Sequence, residues 1–319
     1  MKMEVNSEKI EIKKAFENRY KGLLDERYND FIKCSLSFLR RSIRINTLKS
    51  SEFNVKKRLE VQGWTLKAIP FCKEGFWVLH KEGRLDIGNT KEHALGYYYV
   101  QEAASMIPPI VLDPQPDELI LDLCASPGSK TTQIAQYMKN TGLLISNDFT
   151  GDRMKPLGLN IQRMGITNAI MTKMYGQWFS RKNIFFDRIL VDAPCSGTGA
   201  IRKSLKTLTI WNPLMLKRLA VTQKKLLASA FEILKENCTL VYSTCSTEPE
   251  ENEGVISFLL DTYKNARIED IKLNIKKSEP ILEFEDQKYH DDVKNCLRIW
   301  PQDNDTEGFF VARIRKTNI

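Results

Sequence analysis

From residue 118 onward, short apolar runs alternate with segments of helical spacing, and that alternation leaves few folds open. Strands are expected near 119–123, 143–147, 169–173, 187–191 and 239–243, with helices near 130–139, 151–164, 213–235 and 250–260. A mostly parallel sheet with helices on both faces buries such a pattern, so this part reads as α/β. The helix at 213–235 carries a core stripe at Leu216, Leu219, Leu226, Phe231 and Leu234. Arg298-Ile299-Trp300 and Phe309-Phe310-Val311-Ala312 close the chain as strands, expected at an antiparallel edge. The segment 270–296 is charged and weakly patterned, and no element is assigned to it.

The front of the chain reads differently. Ile10, Ile12, Phe16, Leu23, Leu24, Phe31, Ile32, Leu36 and Phe38 give residues 1–39 the spacing of a helical arm. Ser42 to Asn46 alternates as a strand, Phe53 to Val61 reads as a helix, and Leu66 to Ile69 and Phe76 to Leu79 read as strands. Residues 40–95 therefore form a small α+β module. Gly96-Tyr97-Tyr98-Tyr99-Val100 is expected to open the main domain, residues 96–319, with a helix over about 101–112 behind it.

Charge divides along the same line. Residues 1–96 hold 20 Lys and Arg against 13 Asp and Glu, while the remainder holds 28 against 27. A basic front on a neutral body suits a polyanion partner, although a solvated lysine-rich surface would look the same. No apolar stretch approaches the roughly 20 residues that cross a bilayer. The charged N-terminus has no secretory signal, so the expected compartment is the cytoplasm. Seven cysteines without a CxxC pair, and only three histidines, argue against disulfides and against a bound metal. Cys34, Cys72, Cys238 and Cys296 read as inert packing thiols.

Ligands of an open α/β sheet sit outside the carboxyl ends of its strands. The unusual polar residues of this chain lie there: Cys124-Ala125-Ser126-Pro127-Gly128-Ser129-Lys130, Asn147-Asp148, Asp192-Ala193-Pro194-Cys195 and Ser243-Thr244-Cys245. The first loop has neither the spacing of a dinucleotide fold nor that of a phosphate-binding loop. Gly128 and its small neighbours still let a ligand approach the backbone closely. Asp148 is placed either to accept two ribose hydroxyls or to cap the next helix, and spacing leaves both open. A nucleoside without a triphosphate, S-adenosylmethionine, fits better than NAD or ATP.

Two thiols with a carboxylate beside them suit chemistry at carbon 5 of a pyrimidine. Carbon 5 of cytosine is a poor nucleophile until a thiolate adds to carbon 6. The reaction then needs a group at ring nitrogen 3 and a base. Thr247-Glu248-Pro249-Glu250 has the form of a helix start with Thr247 as cap, which would place Cys245 near a helix N-terminus. Asp192 would face the ring edge, partly protonated and donating to nitrogen 3. Either cysteine alone reads as structural; it is their joint placement that points to reaction.

At these residues the chain resembles the RNA (cytosine-5)-methyltransferases of the Nop2/Sun family, over roughly residues 40–315. The likeness runs through Ser42 to Lys49, Leu121 to Thr132, Asn147-Asp148 with Arg153, Asp192 to Gly197, Tyr242 to Ser246, Glu248 to Glu253 and Leu297 to Pro301. It is most similar to the archaeal type that methylates transfer RNA, with ribosomal RNA as the alternative substrate. The resemblance implies a Rossmann-like, S-adenosylmethionine-dependent catalytic domain on a mostly parallel seven-stranded sheet, preceded by an RRM-like RNA-binding module, and a monomer with RNA as partner. It implies Cys245 as nucleophile, Cys195 in product release, Asp192 on the cytosine and Lys130 in support. The cofactor would be held by Cys124, Ala125, Ser126, Pro127, Gly128, Ser129, Lys130, Asp148, Arg153 and Asp192. Two positions depart from the family pattern: Ser129 stands where a second glycine is usual, and Tyr175 where an aspartate meets the adenine amino group. Tyr175 either stacks on or hydrogen-bonds the ring instead, or weakens cofactor binding.

Other readings stay open at this point. DNA cytosine methylation uses the Pro-Cys cysteine and has no second thiol after the fifth strand, so Cys245 favours RNA. A non-catalytic RNA-binding relative is kept open by Tyr175, and an enzyme acting on a small molecule would have no affinity for RNA. Arg40, Arg41 and Arg44 are the candidate phosphate contacts; Arg44 and Asn46 could instead tie the module to the catalytic domain.

Overall fold

The computed structural model describes residues 12–318. Residues 1–11 and 319, and with them Ile10 of the expected arm, lie outside the described residues. Helices Lys14–Leu24 and Tyr28–Ser35 form the front. Phe16, Tyr20, Leu24, Tyr28 and Phe31 recur every three or four residues, which puts them on one face. That face is buried against Ile201, Leu208, Trp211 and Trp300 of the main domain. The arm is thus part of the body, with the Tyr20 ring stacked on both Phe16 and Phe31.

The small module is a four-stranded antiparallel sheet of β1 (Ser42–Ile45), β2 (Trp64–Ile69), β3 (Cys72–His80) and β4 (Tyr98–Val100), ordered β2-β3-β1-β4. The helix Glu52–Val61 starts at Ser51, whose hydroxyl accepts the Asn54 amide. One expectation is corrected here. Residues 98–100 do not open the main domain; they pair with β1 and complete the small sheet.

The large sheet contains β5 (Leu119–Asp122), β6 (Leu143–Asn147), β7 (Ala169–Thr172), β8 (Phe186–Asp192), β9 (Leu234–Thr244), β10 (Ala266–Glu269), β13 (Leu297–Ile299) and β14 (Phe309–Lys316). The path is β10-β14-β9-β8-β5-β6-β7, with β13 paired on β14. β5 to β9 run parallel, and their fully buried runs, such as Ile189-Leu190-Val191 and Leu240-Val241-Tyr242, are what a sheet covered on both faces requires. The closing strands are antiparallel as expected, but β14 is interior, between β9 and β10. The unassigned segment 270–296 contains a short hairpin, β11 (Glu283–Phe284) with β12 (Gln287–Lys288).

The small module and the main domain share a core: Ile69, Phe71 and Cys72 pack with Ile107, Leu112 and Ile134. Arg44 lies in this junction with 0% exposure. It donates to Gln101 Oε1 at 2.9 Å, Gln136 Oε1 at 2.7 Å and Thr132 Oγ1 at 2.9 Å. Burial lowers its pKa. Asn46 donates across the same junction to Gly96 O and Met164 O. Arg44 is therefore not a phosphate contact; its donors are already used inside the protein.

Candidate active site

β8 and β9 are neighbours in register, with Asp192 opposite Ser243. The loops that follow carry the two thiols toward each other, and Cys195 Sγ lies 3.4 Å from Cys245 Sγ. Asp192 sits beside them with both carboxylate oxygens accepting hydrogen bonds, Oδ2 from Lys130 Nζ at 2.7 Å and Oδ1 from the Ser243 hydroxyl at 2.7 Å. The sequence reading had Asp192 donating to the ring; here it is a double acceptor. Lys130 stands in the first turn of the helix Ser129–Tyr137, directly after the β5 loop, so three strand ends meet at this point. Burial alone would lower the Lys130 pKa, but Asp192, and beyond it Cys245 and Asp122, hold it above its ordinary value. The hydrogen bond with Cys245, followed by burial, holds the Cys195 thiol well above its ordinary range.

The turn behind Cys245 is locked by buried polar groups. Ser246 Oγ donates to Glu251 Oε1 at 2.9 Å, and Glu251 Oε2 accepts from the Ser196 amide and from Gln223 Nε2 at 2.9 Å each. Glu251 thus ties both cysteine loops together. Arg298 grips Glu253 through two nitrogens, at 2.7 and 2.5 Å, and donates to Thr247 O. Glu248 is fully buried and accepts from Arg19, Tyr20 and Trp211. The expected cap is corrected. Residues 249–251 form a short 3-10 turn before the helix Glu253–Thr262, and no side chain caps either. Thr247 Oγ1 is engaged by Tyr20 and Thr198 instead.

Beside this centre the loop after β5 bends sharply. The Ser126–Pro127 peptide is cis, and Gly128 has φ of 103°, where a Cβ would press on Leu157 Cδ1 at 3.1 Å. Asp148 Oδ2 accepts the Ser126 amide, Oδ1 accepts the Thr150 amide, and Arg153 Nη2 donates to Ser126 O at 2.7 Å. Asp148 therefore does not cap the helix Gly151–Met164; it joins the β5 and β6 loops. Burial pushes the Cys124 thiol up, which suits packing rather than reaction. Asn147 holds the next loop by accepting the Met174 amide and donating to Met174 O. Tyr175 follows, half-exposed, with its ring against Phe149.

Asp122 is a residue the sequence reading passed over, because an acid inside the run Leu121-Asp122-Leu123 looked like part of a strand. It is buried; Oδ2 accepts from Thr131 Oγ1 at 2.6 Å, and Oδ1 has no partner among the described residues. Burial pushes its pKa up to about 7. An unpaired carboxylate oxygen between the β5 loop, Lys130 and Asp148 is the feature a ligand with an ammonium group requires, so the donor set fits S-adenosylmethionine.

Of the expected RNA contacts, Arg40 lies over the Trp77 ring at 4.0 Å and pairs with Asp305 at 2.8 Å, while Arg41 is exposed. Among the described residues no helix is long and apolar enough to cross a membrane.

Residues 109–315 match the family described as 16S rRNA methyltransferase RsmB/F, and residues 12–103 match the N-terminal domain of 16S rRNA methyltransferase RsmF. The chain is 45% identical to a tRNA (cytosine(49)-C(5))-methyltransferase of Pyrococcus abyssi, over 98% of this chain and 99% of that one. It is 42% identical to ribosomal RNA small subunit methyltransferase F of Psychromonas ingrahamii, over 97% of this chain but only 64% of that one. Among solved structures, a methyltransferase homolog protein from Pyrococcus horikoshii superposes with a TM-score of 0.84 at 36% identity, covering 95% of each chain.

Proposed function

Because the chain belongs to the RsmB/F family of S-adenosylmethionine-dependent RNA (cytosine-5)-methyltransferases, we propose that it methylates cytosine in transfer RNA through a covalent adduct on Cys245. The observation that carries this reading is the 3.4 Å separation of two sulfurs beside the Lys130–Asp192 pair. Cys245 adds to carbon 6, and the electron pair moves onto the ring, where carbon 5 becomes nucleophilic. Asp192 accepts from the cytosine amino group and orients the ring, and the Lys130 ammonium stabilises charge beside it. Bound S-adenosylmethionine supplies the electrophilic methyl group. Asp122 Oδ1, Asp148 and the Ser126–Lys130 backbone would hold that cofactor, Asp122 at its ammonium end and Asp148 at its ribose hydroxyls.

Cys195 acts after methylation. Its high pKa comes first from the hydrogen bond with Cys245. Once the Cys245 sulfur is bonded to carbon 6, that largest cause is gone while burial remains, and in this proposal Cys195 gives its proton to solvent. The thiolate then takes the proton from carbon 5, the double bond re-forms, and Cys245 leaves as thiolate. Cys195 is then a thiol again and Cys245 the thiolate that began the cycle, and the one proton lost to solvent balances the methyl cation gained by carbon 5.

Transfer RNA is favoured over ribosomal RNA because the tRNA-modifying relative is 45% identical to this chain against 42% for the rRNA-modifying one. The rRNA-modifying relatives extend further, the chain spanning 60–64% of them. The protein is proposed to act as a monomer in the cytoplasm. Bisulfite sequencing of transfer RNA and small-subunit ribosomal RNA, each incubated with protein and S-adenosylmethionine, tests the substrate. Protected cytosines in transfer RNA are expected; protection confined to ribosomal RNA would move the assignment there, and none in either would refute it.

A further inference from the structure

Three aromatic rings stand exposed at the outer end of the cofactor site. Phe149 is 53% exposed, Tyr175 47% and Trp178 44%. Phe149 and Tyr175 are stacked at 5.6 Å between centroids with planes 19° apart, and Trp178 meets Tyr175 edge-on at 4.8 Å. A contiguous aromatic patch in water is unfavourable unless something covers it. Its position identifies the cover. Phe149 directly follows Asp148, and Tyr175 lies three residues past the end of β7, the strand paired with β6. A ligand running from the β5 loop, with its ribose at Asp148 just past β6, has its base left over the end of β7. Asn147 fixes this placement, since its side chain bonds both Met174 N and Met174 O. The segment Lys173-Met174-Tyr175-Gly176-Gln177 offers the base edge no carboxylate.

We propose that the purine of the cofactor is held by the faces of Tyr175, Phe149 and Trp178, and that its 6-amino group is not read. The inference rests on the cofactor site proposed above. A site that hydrogen-bonds a ligand's amino group rejects the analogue lacking it strongly, because a buried acceptor is left unpaired. Stacking carries no such penalty, since every purine has a π-face.

The test is calorimetric titration of the full-length protein with S-adenosylhomocysteine and with its 6-deamino analogue, in which hydrogen replaces the amino group. The two are expected to bind within about three-fold of each other. Tyr175→Ala and Phe149→Ala should weaken both ligands equally, on the order of ten-fold or more. Tyr175→Phe should restore wild-type affinity, because the ring and not the hydroxyl is used. Each ligand should also quench Trp178 fluorescence, a signal that Trp178→Phe removes. A preference above about thirty-fold for the amino-bearing ligand would overturn the proposal. So would unchanged affinity in Tyr175→Ala, which would assign the patch to a base of the RNA. No binding of either ligand to the wild type would instead refute the cofactor site itself, and this inference with it.

Discussion

Asp122 shows at the scale of one residue what the site does to its own protein. A buried carboxyl with a pKa near 7 binds a proton more readily folded than unfolded. Between pH 4 and pH 7 the folded state therefore holds the extra proton, and stability falls as pH rises through that window. Asp122→Asn removes this dependence while leaving an oxygen for Thr131. The variant should be as stable as wild type near pH 3.5 and more stable above pH 7, by roughly 2–4 kcal/mol, as read from thermal unfolding across the range. The same substitution should weaken S-adenosylmethionine binding. A stability difference that does not change with pH would contradict the burial argument. Arg44 teaches a different lesson at this scale. The sequence leaves it either a phosphate contact or a tie between module and catalytic domain; the fold selects the tie, through acceptors 57 to 92 residues away that no local pattern announces.

The element that matters most is the turn from Cys245 to the helix Glu253–Thr262. It is held from two sides, by Arg298 on Glu253 and by Arg19, Tyr20 and Trp211 on Glu248. Removing one partner of a fully buried pair leaves a charge without compensation. Arg298→Ala should cost about 3–5 kcal/mol in denaturant unfolding, and Arg298→Met with Glu253→Leu should recover most of it. A loss under about 1 kcal/mol would mean the pair is not the brace described here. The elements the sequence made legible are those decided by one period. The parallel strands are continuous apolar runs, and the arm repeats every three or four residues. β10 was missed because Ala266-Arg267-Ile268-Glu269 is short and half-charged, and the interior place of β14 depends on partners distant in sequence. Thr247 failed as a cap because Tyr20 and Thr198 compete for its hydroxyl. The site was legible in its residue types; the link from Arg19 to Glu248 and the partnerless Asp122 oxygen needed the folded chain.

At the scale of the molecule, fewer basic residues of the front half are free to meet RNA than charge alone suggested. Arg44 is sealed in the junction and Arg40 is engaged by Trp77 and Asp305. Arg41 is left as the exposed candidate. Arg41→Ala should weaken RNA binding and reduce the slope of log affinity against log salt by about 1. Arg44→Ala should leave that slope unchanged while lowering the unfolding midpoint, because it opens the junction between module and catalytic domain. The reverse pattern would return Arg44 to the RNA surface. All of this serves one centre, where two sulfurs lie 3.4 Å apart and are proposed to have different duties. The direct measurement is denaturing electrophoresis of wild type, Cys195→Ala and Cys245→Ala after incubation with transfer RNA and S-adenosylmethionine. A stable protein–RNA band is expected to accumulate only in Cys195→Ala; a band in Cys245→Ala, or in neither variant, would contradict the assignment.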